Sequence, residues 1–212
     1  THDEMRSVVQ RFGFGERTGC GVPGETAGPV TPVPMWTSYT QSSVAMGHEI
    51  SVSALQMARA FSVFARNGTM PMLRLTAVTD RREPFRFQRR VIDAKLAEHV
   101  RTILGEVMTD GTGRKAQSEQ YRLFGKSGTA ELWDSDLGQY HRDRYTSSFI
   151  AGAPIDDPRI VVVVVIDDPD RKVGEERGEK SHTGGRSAGP VVRDIIDFAL
   201  GYLGVPASEP AE

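Results

Sequence analysis

The 212-residue chain contains one cysteine, Cys20, and one asparagine, Asn67. A lone thiol excludes an internal disulfide framework and any zinc site built from several cysteines. Long apolar runs are also missing. The longest, Ile160 to Ile166, falls far short of the roughly 20 residues that a membrane-spanning helix needs. Charge of either sign is not in excess: 26 Lys and Arg meet 28 Asp and Glu, a net charge of −2, so a nucleic-acid partner is not expected. The five histidines, His2, His48, His99, His141 and His182, are scattered, with no pair at ligand spacing on one helix, and no metal site is expected. His182 differs only in lying in a glycine-rich segment that could approach a site elsewhere. No signal segment opens the chain, which starts at Thr1 inside what reads as a helix, as a piece of a longer protein would.

What is present describes a globular chain. Apolar residues make up 38%, with 22 Gly and 12 Pro, enough for a sizeable core without cross-links. Repeats and a clear linker are both missing, so one domain over residues 1–204 is expected, with a polar, frayed tail over 205–212. Met5, Val8, Val9 and Phe12 recur at helical spacing, and Gly13 and Gly15 stop that helix. Residues 19–34 read as an irregular Gly/Pro/Thr loop. Ser53-Ala-Leu-Gln56 has the form of a capping box, opening a helix with the face Met57, Ala58, Phe61, Phe64 and Ala65, which Asn67-Gly68 ends. Met72 to Thr79 reads as a strand paired with Phe85 to Arg89. Asp93 can cap a helix with the stripe Leu96, Val100, Ile103, Leu104 and Val107, which runs into the breakers Thr109 to Gly113.

Three strands without intervening helices come next: Tyr121 to Leu132, Thr146 to Ala153 and Arg159 to Asp167. The turn Pro154-Ile-Asp-Asp-Pro158 makes the last two antiparallel neighbours. The unbroken Val/Ile run of the third predicts burial on both faces in the middle of the sheet, with helices on each side. Asp168 to Arg186 reads as a charged, glycine-rich loop. Pro190 then opens a closing helix whose inward residues are Val191, Ile195, Ile196, Ala199 and Leu203.

Few residue patterns here can carry chemistry. Gly125-Lys126-Ser127 is not a phosphate-binding loop, because Gln120 stands where that motif needs its first glycine and the segment continues as strand rather than helix. No Gly-x-Ser-x-Gly nucleophile elbow exists. The remaining option for a serine enzyme is a Lys-Ser/Thr-Gly strand, and Lys126-Ser127-Gly128 supplies one. Alone, the tripeptide fits equally a plain strand with a solvated lysine.

Its context is more specific. Arg11-Phe-Gly-Phe-Gly15, Thr18-Gly19, Pro23-Gly-Glu-Thr-Ala-Gly28, Trp36 and Met46-Gly-His-Glu-Ile-Ser-Val-Ser-Ala-Leu-Gln-Met-Ala-Arg-Ala60 come first. Asn67-Gly68 with Pro71, Gly111-Thr-Gly113, Gly125-Lys-Ser-Gly-Thr-Ala130, Ser148-Phe149 and Ala153-Pro154 continue the series. The Val161–Val165 strand, Gly184-Gly185 and Ala188-Gly-Pro190 complete it. In this order the segments resemble the monofunctional (class B) penicillin-binding proteins, from about Arg11 to Leu203. Of that family's three active-site signatures only the Lys-Ser/Thr-Gly strand is here. No Ser-x-x-Lys occurs, and Asn67 cannot complete Ser-x-Asn. In the family both lie upstream of the Phe-Gly-Phe-Gly segment.

The resemblance implies an α/β (α+β) fold, a mainly antiparallel sheet flanked by helices on both faces, of the penicillin-binding-protein and serine β-lactamase type and incomplete in this chain. It implies a peptidoglycan D,D-transpeptidase whose nucleophilic serine lies outside these residues. By the same resemblance Lys126 supplies positive potential for a substrate carboxylate. The hydroxyls of Ser127 and Thr129 bind that carboxylate, the Thr129 backbone N–H forms half of an oxyanion hole, and Gly128 leaves room for the substrate backbone. Gly184 and Gly185 line the cleft opposite the strand, a reading that stands level with a plain turn. The implied partners are peptidoglycan stem peptides, β-lactam antibiotics, the missing N-terminal part of the same protein, and other cell-wall synthesis proteins. The implied location is extracytoplasmic, on a membrane anchor outside the chain. No cofactor is implied.

Two other functions suit the same residues: a D,D-carboxypeptidase or β-lactamase-type hydrolase, and a non-catalytic binding or sensor module. Trp36, Trp133 and Tyr145 read as packing residues rather than substrate platforms. Arg186 reads equally as solvated charge or substrate contact, and Cys20 as structural.

Overall fold

Thr1 and Glu4 form a reciprocal capping box at the start of α1 (His2–Arg11), the Thr1 hydroxyl accepting from the Glu4 amide. Gly13 and Gly15 follow with φ of +81° and +84°, a left-handed backbone that ends the helix where the sequence places its stop. These residues open the first of two units into which contacts divide the chain, Thr1–Ala94 and Lys95–Glu212. A computed structural model describes residues 1–76, 88–170 and 180–208.

The first unit also contains α2 (Thr40–Ala45), α3 (Ala54–Ala65), and the short antiparallel strands β1 (Thr69–Met70) and β2 (Arg89–Arg90). No sequence signal pointed to α2. The capping box at α3 is as expected: Ser53 accepts from the Gln56 amide, and the Gln56 side chain accepts from the Ser53 amide. The buried face of α3 is Gln56, Ala60, Phe61 and Val63, so the expected face is turned by about one position. Of the predicted strand Met72 to Thr79, residues 72–76 are not strand, and the rest lies outside the described residues. Its proposed partner Phe85 to Arg89 is described only from 88 onward, where Arg89 pairs with Met70.

Two polar side chains hold the irregular loop of this unit. Glu25 accepts from the Thr18 amide at 2.6 Å, the Thr18 hydroxyl at 2.5 Å and the Gly19 amide at 3.3 Å. The Thr18 hydroxyl is the main reason why the Glu25 carboxyl titrates below the usual range. Gln56, 2% exposed, donates through Nε2 to the carbonyls of Glu16 and Ala27. The Pro-Gly-Glu and Leu-Gln segments are therefore structural ties for the loop. Trp36 packs with Val9 and Val44 and donates from its indole N–H to the Thr31 carbonyl, as a packing residue does.

The second unit runs from α4 (Ala94–Thr109) to β3 (Phe124–Asp134), β4 (Gln139–Ala153), β5 (Ile160–Asp167) and α5 (Gly184–Tyr202). The three strands form one antiparallel sheet in the order β3-β4-β5. Ser127 stands opposite Phe149, and Phe149 opposite Val164. With a side-chain period of two, Leu123, Gly125, Ser127 and Thr129 share the face of Phe149, Ala151, Val162 and Val164. That face packs on Ala188, Val192, Ile196 and Leu200 of α5.

Six expectations are corrected here. β4, not the Val-rich β5, is the central strand. Ile160, Val162, Val164 and Ile166 of β5 face the core, while Val165 on the other face is 50% exposed, so the apolar run is only half used for burial. The closing helix begins at Gly184, not at Pro190, which lies inside it. Its inward stripe is Ala188, Val192, Ile196 and Leu200, whereas Val191, Ile195 and Leu203 are exposed. A row of four-residue steps defines one helix face, and the sheet selected the neighbouring row. On α4 likewise, Ala97 and Met108 are buried while Leu96 and Ile103 are exposed. The stretch 205–208 is not frayed: Tyr121 donates its hydroxyl to the Val205 carbonyl, and the Ser208 amide donates to Gln120.

Candidate active site

Among the described residues β3 is paired along one edge only, so within this sheet its other edge is open to a further strand. Lys126-Ser127-Gly128 lies on this open strand. Phe124 and Gly125 before it are buried, which anchors the strand, and Lys126 and Thr129 are exposed. Alternation puts Lys126 and Ser127 on opposite faces, so they do not both point to one side. The ammonium of Lys126 folds back to donate to the Ser127 carbonyl at 2.8 Å.

A cleft of about 600 Å³ opens beside the strand, and Ser127, Thr129 and Gly185 all border it. Two hydroxyl contacts organise this side. Ser127 Oγ lies 2.7 Å from Thr112 Oγ1, in the loop after α4. Thr129 Oγ1 accepts from the Gly184 amide at 3.1 Å, at the first turn of α5. Each hydroxyl thus accepts from the protein or can do so, which leaves its own proton for an anion in the cleft.

The glycine pair is part of a helix, not a plain turn. A Cβ at Gly184 would collide with the carbonyl oxygens of Ser148 and Gly128, and one at Gly185 with that of Thr112. Only glycine lets the first turn of α5 sit this close to β3 and to the loop after α4. The preceding turn is tied to the sheet as well: Ser147 donates from its hydroxyl to the His182 carbonyl, and the His182 ring stacks on Tyr145 at 4.5 Å. His182 therefore supports the turn and does not border the cleft.

Beyond Ala130 the β3–β4 hairpin continues as a two-stranded ribbon, with a register shift between Glu131 and Trp133. Trp133 is exposed there and meets Tyr140 edge-on at 5.0 Å, so it is no core residue. The Leu137 and Asp136 amides hold the Asp134 carboxyl below its ordinary range. At the ribbon's base Asp168, 2.8 Å from Arg144, raises that guanidinium's pKa.

Apart from Arg186, which read equally as solvated charge or substrate contact, residue patterns alone did not single out the other polar groups of the cleft. Thr112, Arg114 and Lys115 come from the loop after α4, and Thr183 and Arg186 from the start of α5. The segment Gly111-Thr-Gly113 read as a helix stop and as one segment of the family resemblance, with no role given to the Thr112 hydroxyl. Nothing local in it signals that its hydroxyl faces a strand fifteen residues later.

An open strand with paired hydroxyls, backed by the N-terminus of a long helix, can chemically accept an extended chain along its edge and a carboxylate at its hydroxyls. Comparison with known proteins agrees with this class. Residues 1–197 match the family described as the penicillin binding protein transpeptidase domain, and the chain belongs to that family. It is 31% identical to penicillin-binding protein PbpB of Mycobacterium tuberculosis, over 95% of the chain and 30% of that protein. It is also 31% identical to stage V sporulation protein D of Bacillus subtilis, over 96% of the chain and 31% of that protein. The chain thus spans about a third of the length of these relatives. Among solved structures, the apo transpeptidase domain of Burkholderia pseudomallei penicillin-binding protein 3 superposes with a TM-score of 0.86 at 32% identity, covering 99% of this chain and 60% of that one. Penicillin-binding protein 3 of M. tuberculosis complexed with ampicillin gives 0.83 at 30% identity, covering 98% and 47%.

Proposed function

We propose that the protein carrying this chain is a peptidoglycan D,D-transpeptidase that works through a serine acyl-enzyme and is trapped by β-lactams. The observation that carries this reading is the position of Ser127 and Thr129. Both border the cleft from an open strand, with hydroxyls oriented by Thr112 and by the Gly184 amide. A stem peptide adds to β3 as a further strand through main-chain hydrogen bonds. Its terminal carboxylate takes the hydroxyl protons of Ser127 and Thr129, in the positive field of Lys126.

A serine outside these residues attacks the penultimate D-alanine carbonyl. Its own backbone N–H and that of Thr129 hold the developing oxyanion, where losing one donor costs on the order of 10²–10³ in rate. Terminal D-alanine leaves, and an amine of a neighbouring stem takes the acyl group. Two of the relatives fit this chemistry by name, the probable peptidoglycan D,D-transpeptidases PenA of Neisseria flavescens and PbpC of Pseudomonas aeruginosa. The reading includes an extracytoplasmic site of action and contacts with other cell-wall synthesis proteins. Among the described residues no helix is long and apolar enough to cross a membrane.

The test uses fluorescent penicillin and a D-Ala-D-Ala stem peptide with an amine acceptor. The full-length protein is expected to be labelled and to form cross-linked product, while residues 1–212 alone are not labelled. Hydrolysis without transfer would instead make the protein a carboxypeptidase or β-lactamase-type hydrolase. No reaction at all would make it a binding module.

A further inference from the structure

We propose that Trp133 and Tyr140, on the ribbon beyond the cleft, form a platform for the sugar that carries the donor stem peptide, the peptide that acylates the serine. The inference rests on the transpeptidase reading above and deepens it, naming the donor as a glycan-linked peptide. Trp133 is 56% and Tyr140 54% exposed, and the two rings meet edge-on with centroids 5.0 Å apart. Contiguous aromatic surface left in water marks an interaction site. The pair is also held in place. The Asp134 carboxylate accepts from the Asp136 and Leu137 amides at 2.9 and 3.1 Å, and the Asp134 carbonyl accepts from the Gly138 amide at 2.9 Å. His141 Nε2 lies 3.5 Å from the other carboxylate oxygen. These contacts close the turn that follows Trp133 and precedes Tyr140.

Position on β3 decides the occupant. A chain with its carboxylate at Ser127 and Thr129 can leave along β3 in two directions. Toward Gly125 and Phe124 the strand is buried, whereas toward Ala130 and Glu131 it is exposed. The peptide therefore runs antiparallel to β3, with its N-terminal end at the ribbon. Alternation puts Ser127, Thr129, Glu131 and Trp133 on one face. The register shift leaves this phase intact: the two steps from Glu131 to Trp133 match five on β4, from Tyr145 to Tyr140, so the extra residues lie in β4. At about 3.3 Å per residue the four steps from Thr129 to Trp133 span about 13 Å, the same distance as from the last to the first of about five stem residues. The first stem residue thus reaches Trp133, and the group beyond it is the N-acetylated amino sugar to which it is joined. A pyranose ring has an apolar C–H face and a polar rim. The C–H face can lie on an aromatic ring while the indole N–H and the phenol O–H reach the rim. This continuity with the peptide's track favours a sugar over a protein partner.

The experiment uses the full-length protein and two donors with the same D-Ala-D-Ala stem peptide. One is N-acetylated at its first residue, and the other is joined there to an N-acetylglucosaminyl-N-acetylmuramyl disaccharide. Release of D-alanine gives kcat/KM for each, and the ratio of the two is internal to each protein sample. The wild type is expected to favour the disaccharide donor about three- to tenfold, the worth of one or two aromatic ring contacts. Trp133→Ala combined with Tyr140→Ala is expected to remove the preference, while Trp133→Phe, which keeps a ring face, retains most of it. Tyr140→Ala alone is expected to remove part of it and is the deciding variant if the double substitution does not fold. A wild type without the preference overturns the inference and leaves the transpeptidase reading intact. So does an unchanged ratio in a folded Ala variant, as a purely structural role or a protein-docking role for the ribbon would give, or a loss as large with Phe as with Ala. A wild type that releases D-alanine from neither donor overturns the transpeptidase reading instead.

Discussion

The hydroxyls of Thr112 and Ser127 lie 2.7 Å apart and join the loop after α4 to the open strand β3. A hydroxyl pair shares one proton along the contact. If Ser127 gives its proton to a substrate carboxylate, Thr112 must donate to Ser127, so Thr112 sets the direction of the chain without touching the reacting atoms.

Thr112→Val removes that donor and keeps the shape. In the full-length protein it is expected to slow acylation by penicillin roughly 3- to 10-fold, the worth of one ordinary hydrogen bond. Thr112→Ser should restore the rate. Stopped-flow acylation with a fluorescent penicillin measures both, and a Val variant at the wild-type rate would remove Thr112 from the site.

Lys126→Ala deletes the strand's only cation and the contact to the Ser127 carbonyl. Acylation of the full-length protein should fall at least tenfold, since interactions with a charged group are worth about 1.5–3 kcal/mol. The same stopped-flow assay reads it, and a normal rate places Lys126 outside the chemistry.

Gly184→Ala forces a methyl group against the carbonyls of Ser148 and Gly128, backbone atoms that cannot rotate away. A cost of about 1–3 kcal/mol in stability is expected. Slower penicillin acylation should accompany it, because α5 must back off from β3. Gly201→Ala meets nothing nearby and serves as the control in urea unfolding.

Ile195 and Ile196 are neighbours with different surroundings: Ile196 is fully buried and Ile195 is 41% exposed. Ile196→Ala should destabilise by about 2–5 kcal/mol. Ile195→Ala should cost less than about 1 kcal/mol. Equal shifts of the urea midpoint would contradict the assigned inward face of α5.

Glu25 is held below its ordinary range chiefly by the Thr18 hydroxyl, so its folded pKa lies under the unfolded value of about 4.3. A depressed carboxyl stabilises the fold fully above the unfolded pKa and loses that contribution as pH falls through the folded one. Hydrogen exchange at the Thr18 and Gly19 amides should therefore quicken, relative to a distant loop, as pH falls below the unfolded carboxyl value of about 4.3. Glu25→Gln should lack this dependence, and matching profiles would refute the role.

Local signals carried much of the fold because they act within a few residues. Ser53-x-x-Gln56 caps α3 through its own side chains, Asn67-Gly68 adopts left-handed angles, and the Pro154 to Pro158 turn pairs β4 with β5. The same proximity explains α2, whose six residues carry no capping signal and no apolar period long enough to read. Lys126-Ser127-Gly128 was legible as the candidate strand, but not as an open one. A strand's edge is free only because of where the other strands lie.

The chain's own order of residues determined the elements, the antiparallel pairing and the family, because caps, turns and motif spacing are local or simply sequential. Tertiary structure alone decided which strand is central, which row of α5 faces inward, and that Gly184 and Gly185 begin a helix pressed on two carbonyls. It also brought Thr112, Arg114, Lys115 and Arg186 to the cleft. The physical reason is phase. Periodicity says that a face exists, while only packing against a partner surface selects which face is buried and what it meets.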